Sequence, residues 1–289
     1  MIAGLFQRLI RGSSTFRHEP DWDRAAGVGW QDRIMSIAVT DRFHAKQGRS
    51  IGRCRLRSED DELTVYLKRH YVLPRWRGVL ASLTPFRAWS PGMQEWQHLA
   101  WAKSQGLPVP RAVAAGEWVG PWGRLRGFLA VEELSGMIPL HEAIPTACRS
   151  LAPVAFARWK RGLVTEMVRL TRALHDRHRF HKDLYFCHFY VPERLTKFVP
   201  ETWQGQLVVI DLHRLSRHRW TSALWLVKDL AQLLYSSEVE GVTARDRLRF
   251  WRAYRGRRRW DWLDVVVRWK GRRYRGHNRK RLMVARQAA

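Results

Sequence analysis

Four short stretches of this 289-residue chain carry side chains that could do chemistry. One is His181-Lys182-Asp183, with His188 five positions after the aspartate, in a loop that feeds a short strand. A second is Asp211, which closes the apolar run Leu207–Ile210. The third is Lys68, inside a strand pattern, in a chain whose 52 basic residues include only nine lysines. The fourth is Glu95, on the first turns of the helix pattern that comes after. Taken singly, each has an ordinary structural use. A strand lysine is usually an exposed edge residue, an aspartate after a loop histidine is normally a turn or cap, and a glutamate early in a helix answers the macrodipole. Their order and contexts together suit phosphoryl transfer. That reaction asks little covalent work of a protein; it needs alignment and neutralisation of phosphate charge, which a lysine and separated carboxylates supply.

The elements that must position these groups are legible in outline. SIAVT (Ser36–Thr40), RCRLR (Arg53–Arg57) and LTVYLKRHY (Leu63–Tyr71) alternate apolar and polar residues as strands do. Between the first two lies AKQGRSIGR, read as a loop with Gly48 and Gly52. SPGMQEWQHLAWAKSQG predicts a helix with Ser90 as N-cap, Pro91 at its first position and Gly106 closing it. The stretch after LPVPRAVAAGEW reads as strand again, GFLAVEEL (Gly127–Leu134) as an apolar strand ending in two acids, and SGMIPL as a turn-rich crossing. Beyond it, Phe156–Arg179 is a long helical pattern, HKDLYFCHFYV a loop running into a strand, QLVVIDL an apolar strand, and WLVKDLAQLLYSS and RLRFWRAYR are helical. Strands with one helix, then mostly helices, predict an α+β chain in two lobes. Residues 1–30 lack clear periodicity and read as a leader, with a short amphipathic helix at Ile2–Ile10.

On VYLKRH around Lys68, QEWQHL around Glu95, HKDLYFCHF around Asp183, VIDLHR around Asp211 and KDLAQLLYSS around Asp229, the sequence resembles the protein-kinase fold. Within that fold it resembles the lipopolysaccharide kinase family, which phosphorylates inner-core heptose or Kdo. The resemblance spans roughly Ile34 to Ser237. It implies a bilobal fold: a sheet-plus-helix N-lobe over 31–134, a C-lobe core over 135–244, and a basic, Trp-rich C-terminal region over 245–289 outside the match. It implies ATP and Mg²⁺ as cofactors. Lys68 would hold the nucleotide phosphates and Glu95 would fix the lysine. Asp183 would accept or orient the proton of the attacking sugar hydroxyl. Asp211 would bind Mg²⁺. His188 stands where kinases carry asparagine; it would bind the metal or hydrogen-bond Asp183, although Mg²⁺ prefers oxygen ligands. Asp229 would brace the catalytic-loop backbone. Gly48, Arg49, Ser50 and Gly52 would cover the phosphates, in a loop that departs from G-x-G-x-x-G. The adenine site would fall at Glu132–Leu134. Only eighteen positions separate Asp211 from Asp229, with no A-P-E element, so a long activation segment does not fit.

Composition bounds the rest. Hydrophobic residues make up 45% of the chain and Trp accounts for 16 positions, which excludes a disordered polymer. No run approaches the ~18 apolar residues that a spanning helix requires. Three separated cysteines form no C-x-x-C pair and suit a reducing compartment. The N-terminus lacks a secretory pattern, so the expected location is cytoplasmic, peripheral at the inner face of the inner membrane. The formal net charge is +26, and residues 245–286 alone carry seventeen Lys/Arg against three acids, interleaved with Trp and Tyr. That pattern suits an anionic membrane surface bearing a glycolipid substrate; single-stranded nucleic acid is the polyanion ranked below it. Two alternatives stand beside the sugar kinase: a kinase-fold enzyme with a protein or small-molecule acceptor, and a non-catalytic polyanion-binding module. Oligomeric state is not encoded in any readable pattern.

Overall fold

The computed structural model describes residues 2–39, 48–57, 62–256 and 261–287, with side chains from 7 to 276 within those spans. It divides into two compact units, one of residues 1–105 with 109–134, the other of 106–108 with 135–289.

The first unit runs α1 (Ile2–Arg11), β1 (Ser13–His18), α2 (Pro20–Ala26), α3 (Trp30–Arg33), β2 (Arg49–Arg57), β3 (Glu62–His70), α4 (Arg75–Leu83), α5 (Pro91–Ser104), β4 (Ala112–Val119) and β5 (Leu125–Glu132). Its strands form one antiparallel sheet in the order β1-β4-β5-β3-β2. The period-two pattern of β3 buries Leu63, Val65 and Leu67 on one face and turns Thr64, Tyr66 and Lys68 to the other. Helix α5 begins where the sequence places it: the Ser90 hydroxyl accepts the Met93 amide at 3.2 Å, and Pro91 opens the first turn.

The stretch read as a leader carries a helix at Ile2–Arg11, where the sequence reading put one, and then β1, which pairs along its whole length with β4. Trp22 and Trp30 are fully buried, with their rings against Phe128 at 6.4 and 5.8 Å. These anchors come from elements of four to seven residues, too short for a periodic signal. Residues 36–39 of SIAVT are a turn and irregular chain rather than the expected strand, and a buried arginine holds carbonyls in and just before them. Arg69 Nη1 donates to the carbonyls of Ile34, Met35 and Ile37, the last at 2.7 Å, in place of a ladder partner. Thr40 lies outside the described residues. Helix α4 had no counterpart in the sequence reading. Strand β4 is AVAAGEWV itself rather than the stretch after it, and the chain then turns through Gly120-Pro121-Trp122-Gly123.

The second unit runs β6 (Met137–Pro139), α6 (Leu140–Ser150), α7 (Pro153–His175), β7 (Arg179–Phe180), β8 (Phe189–Pro192), β9 (Val208–Val209), β10 (Ser216–Arg217), α8 (Ser222–Ser236), α9 (Ala244–Arg255) and α10 (Trp262–Gln287). SGMIPL is thus a short strand leading into α6. Helix α7 ends at His175 rather than Arg179, and His178 turns the chain in the left-handed conformation. QLVVIDL pairs as strand only at Val208–Val209. The basic C-terminal region is helical: Tyr254 of α9 packs edge-on to His175, and Gly271 of α10 lies beside Leu234 of α8. Among the described residues no helix is long and apolar enough to cross a membrane.

Candidate active site

In the first unit the centre is an ion pair. Lys68 Nζ lies 2.8 Å from Glu95 Oε1, and the glutamate side chain is almost wholly buried. Close packing of α5 on β5 makes this possible. At Gly92 a Cβ would stand 2.4 Å from the Phe128 carbonyl, so glycine lets the helix lie against the strand. Buried Glu117 holds the helix start, its Oε2 accepting the amides of Trp89 and Ser90 at 3.1 and 2.8 Å. A buried carboxylate left without its cation is costly, so the two groups keep each other in place.

The residues expected to cover the phosphates sit differently from a loop. Gly48 is in a turn at positive φ, but Arg49, Ser50 and Gly52 belong to β2. The Ser50 hydroxyl is buried, accepting from Arg69 Nε at 3.0 Å and lying 3.2 Å from the Tyr71 hydroxyl. Gly52 is paired opposite Leu67. Arg69 is the signal that reading missed: an arginine on the strand next to Lys68 draws the serine into the core. Residues 45–47 of that stretch lie outside the described residues. At the expected adenine site, the Glu132 amide donates to the Arg111 carbonyl at 2.9 Å and its carboxylate accepts from Arg111 Nε at 2.7 Å. Leu134, half-buried, is the last residue of this unit.

In the second unit, α8 braces the loop of Asp183 with a polar stripe. Fully buried Asp229 accepts the amides of His181 and Lys182 at 2.9 and 2.8 Å. Gln232 accepts the Leu184 amide at 3.0 Å and donates to the Lys182 carbonyl at 3.1 Å. The Ser236 hydroxyl accepts the Phe186 amide at 3.0 Å. Positions 229, 232 and 236 share one helix face. The sequence reading singled out only Asp229, yet three polar residues at that spacing in the apolar run WLVKDLAQLLYSS were the available signal. Behind Asp229, His175 Nε2 lies 3.3 Å from its carboxylate and His175 Nδ1 lies 2.8 Å from the Tyr254 hydroxyl. Burial pushes that phenol well above its ordinary range, so it stays protonated beside the imidazole.

Two histidines then tie the loop to the strand end. His181 Nε2 donates to the Ile210 carbonyl at 3.0 Å, and burial holds the ring below the ordinary histidine range, hence neutral. His188 stacks on it with centroids 5.6 Å apart and directs Nδ1 to the Asp183 carbonyl at 2.6 Å. A carbonyl can only accept, so Nδ1 carries the hydrogen and Nε2 faces Asp211 Oδ2, 3.8 Å away. Burial pulls the His188 pKa down, but the Cys187 sulfur, the Asp183 carbonyl and Asp211 outweigh it and raise the net value. Asp211 sits in the left-handed region (φ 62°), and its Oδ1 lies 2.9 Å from His213 Nδ1.

A nitrogen lone pair opposite a carboxylate oxygen is satisfied by a proton or by a cation. Mg²⁺ takes one or two carboxylates and completes its shell with water and substrate phosphate, so the Asp211 carboxylate fits it, whereas the His188 nitrogen is not the oxygen ligand it prefers. Among the described residues no cluster of three or more His, Cys, Asp or Glu side chains forms a metal cage.

The Asp183 carboxylate meets two cations that the sequence reading did not single out. Arg214 Nη1 donates to it at 2.9 Å, and Lys228 Nζ lies 3.9 Å away. Lys182 and Lys228 share the Trp225 ring, at 4.2 and 5.7 Å from its centroid. Burial first, and the Arg214 charge second, lower the pKa of both lysines. Positive charge gathered around one carboxylate makes a region prepared for anionic oxygen.

A glutamate-held strand lysine in one unit, and in the other a loop aspartate pinned from below by a buried helix aspartate, define a phosphotransferase of the protein-kinase-like class. Residues 41–254 match the model of the lipopolysaccharide kinase (Kdo/WaaP) family. The lipopolysaccharide core heptose(I) kinase WaaP of Pseudomonas aeruginosa is 33% identical over 204 residues, covering 70% of this chain and 74% of that protein. The enzyme of the same name from Escherichia coli is 30% identical over 162 residues, covering 56% and 58%. A solved structure described as WaaP in complex with acyl carrier protein superposes with a TM-score of 0.63 at 26% identity, covering 90% of this chain and 97% of that one. The chain belongs to the lipopolysaccharide kinase family. It is a kinase with an alcohol group as acceptor, and the family implies ATP as the donor.

Proposed function

We propose that this protein transfers the γ-phosphoryl group of ATP to a hydroxyl of heptose or Kdo in the inner core of lipopolysaccharide, working at the cytoplasmic face of the inner membrane. The observation that carries this reading is Asp183 held in a loop whose amides are bonded to buried Asp229. Lys68, kept in place by Glu95, binds the nucleotide phosphates as a point charge. Asp183 accepts the proton of the sugar hydroxyl and orients its oxygen. Arg214 and Lys228 offset charge on the transferring group. Asp211 would hold Mg²⁺, with His188 orienting the carboxylate, and the ion when bound would supply charge neutralisation to the phosphates.

A carrier-protein partner is a further part of the reading. The solved neighbour is in complex with acyl carrier protein. The second unit of this chain has a cavity of about 350 Å³ lined by Leu163, Met167, Leu234, Phe250 and Val267, with Arg272 among its polar residues. An apolar cavity of that size suits an acyl chain. Native mass spectrometry of the purified protein should then show a bound acyl carrier.

The acceptor is tested by incubating the protein with γ-labelled ATP, Mg²⁺ and separate lipopolysaccharide, protein and small-sugar fractions. Label should enter the inner-core sugars. Label only in the protein fraction would select the other acceptor class. No label in any fraction, with no thermal shift from Mg-ATP, would select a non-catalytic polyanion binder.

A further inference from the structure

Helix α4 is built inside out. Its buried residues are the small ones, Gly78, Ala81 and Ser82. Its large apolar residues Trp76, Val79, Leu80 and Leu83 are 58%, 37%, 39% and 47% exposed. They recur at i, i+3, i+4 and i+7, a single stripe along one face. The small residues are required where they are. A Cβ at Gly78 would stand 2.1 Å from the Gly123 carbonyl oxygen, so α4 lies directly on the turn that carries exposed Trp122. The same turn is tied to α1 through the Trp122 amide, which donates to the Leu9 carbonyl at 2.9 Å. Ile10 at the end of α1, Val72 before α4 and Phe86 after it extend the apolar surface, and Phe86 is fully exposed.

The charge on this face is of one sign. Segments 2–11, 71–87 and 120–126 hold seven arginines and no lysine, aspartate or glutamate. The Arg77 guanidinium sits 5.3 Å from the Trp76 ring. Large apolar side chains left exposed in one stripe mark an interaction site. Beside the stripe lies a cavity of about 750 Å³ lined by Arg11, Arg75, Arg124 and Arg126, which gathers cations without any acid and so suits anionic headgroups. Tryptophans at the headgroup level, aliphatic side chains below them and arginines reaching phosphate are what an interfacial helix needs.

We propose that the face formed by α4, the end of α1 and the 120–123 turn docks on an anionic lipid bilayer. The proposal deepens the reading of a membrane-anchored acceptor and names the surface that brings the enzyme to it. It moves the membrane contact from the C-terminal region, where the basic and aromatic residues of the sequence put it, to the first unit.

The test is co-sedimentation of the full chain with vesicles of phosphatidylethanolamine and phosphatidylglycerol (3:1), and with pure phosphatidylcholine. No acceptor sugar is needed, so the outcome is independent of the kinase reading. Wild type should bind the anionic vesicles and lose binding on neutral ones and in high salt. Trp76→Ser/Leu80→Ser/Leu83→Ser should abolish sedimentation with an unchanged melting profile, because all three side chains are exposed. Arg75→Glu/Arg77→Glu/Arg87→Glu should weaken partitioning about a hundredfold, since each arginine near an anionic surface contributes about 1 kcal/mol. As a second readout that leaves the helix intact, an environment-sensitive fluorophore on Phe86→Cys should shift to the blue on anionic vesicles. The proposal is overturned if both triple variants bind as wild type does, or if loss is confined to Trp262→Ser/Trp269→Ser. It is also overturned if the wild type is a dimer that the α4 variants dissociate.

Discussion

Asp229→Asn is the substitution that most sharply separates a loop positioned from below from one that merely lies near a helix. The aspartate is fully buried, and its two oxygens take the amides of His181 and Lys182 at 2.9 and 2.8 Å. Asparagine has nearly the same shape but only one acceptor oxygen. One amide keeps a partner, without the charge, and the other faces an NH₂ donor. A buried donor left unsatisfied costs about 1–3 kcal/mol, and a hydrogen bond to a charged group contributes about 1.5–3. The expected loss is therefore about 3 kcal/mol, or roughly 6–12 °C in the Tm of the second unit, which holds Asp229. The effect on catalysis should exceed the effect on stability, because Asp183 follows Lys182 directly. A displacement of about 1 Å at a reacting group can cost roughly a hundredfold in rate. Scanning fluorimetry and steady-state turnover below the variant's melting temperature measure the two effects. A variant that melts within about 2 °C of wild type, well inside the shift expected, and keeps its turnover would refute the brace.

Three further outcomes are expected. Glu95→Gln leaves Lys68 beside a neutral amide, so KM for ATP should rise about tenfold while the fold persists, as nucleotide titration would show. Gly92→Ala forces a Cβ to 2.4 Å from the Phe128 carbonyl; overpacking of this kind costs about 1–3 kcal/mol, read as a lower Tm together with weaker ATP binding. Burial would raise the pKa of Asp246, but Lys160 Nζ at 2.6 Å and the Thr243 amide and hydroxyl outweigh it and lower the net value. With the folded pKa depressed, the stabilisation is complete above the unfolded carboxylate value of about 3.9 and is lost as pH falls through the lower folded value. Tm should drop steeply below about pH 4, and Asp246→Asn should flatten that fall.

Much of this protein was readable where local rules and long-range packing agree. The period-two strand of Lys68 and the Ser90-capped helix of Glu95 carry their signals within nine and fourteen residues. Where a single side chain overrides the local rule, the pattern misleads. Arg69 takes the carbonyls of Ile34, Met35 and Ile37 and turns a strand-like run into irregular chain, and the same guanidinium buries Ser50. Trp22 and Trp30 hold an apparent leader in the core with two rings rather than a repeat. Helix α4 carries a readable spacing at Trp76, Val79, Leu80 and Leu83, but a sequence pattern does not show that this stripe faces outward while glycine, alanine and serine face inward. Arg214, three positions after Asp211, reaches Asp183 only through the fold.

The central claim is that Asp183 acts on the acceptor hydroxyl while other groups bind the nucleotide. Asp183→Asn tests it most directly, by turnover on lipopolysaccharide set against the calorimetric Kd for Mg-ATP on the same sample. The account predicts an unchanged Kd with turnover down by about a thousandfold or more. Full turnover in that variant, or a wild-type protein that binds no Mg-ATP, would contradict it.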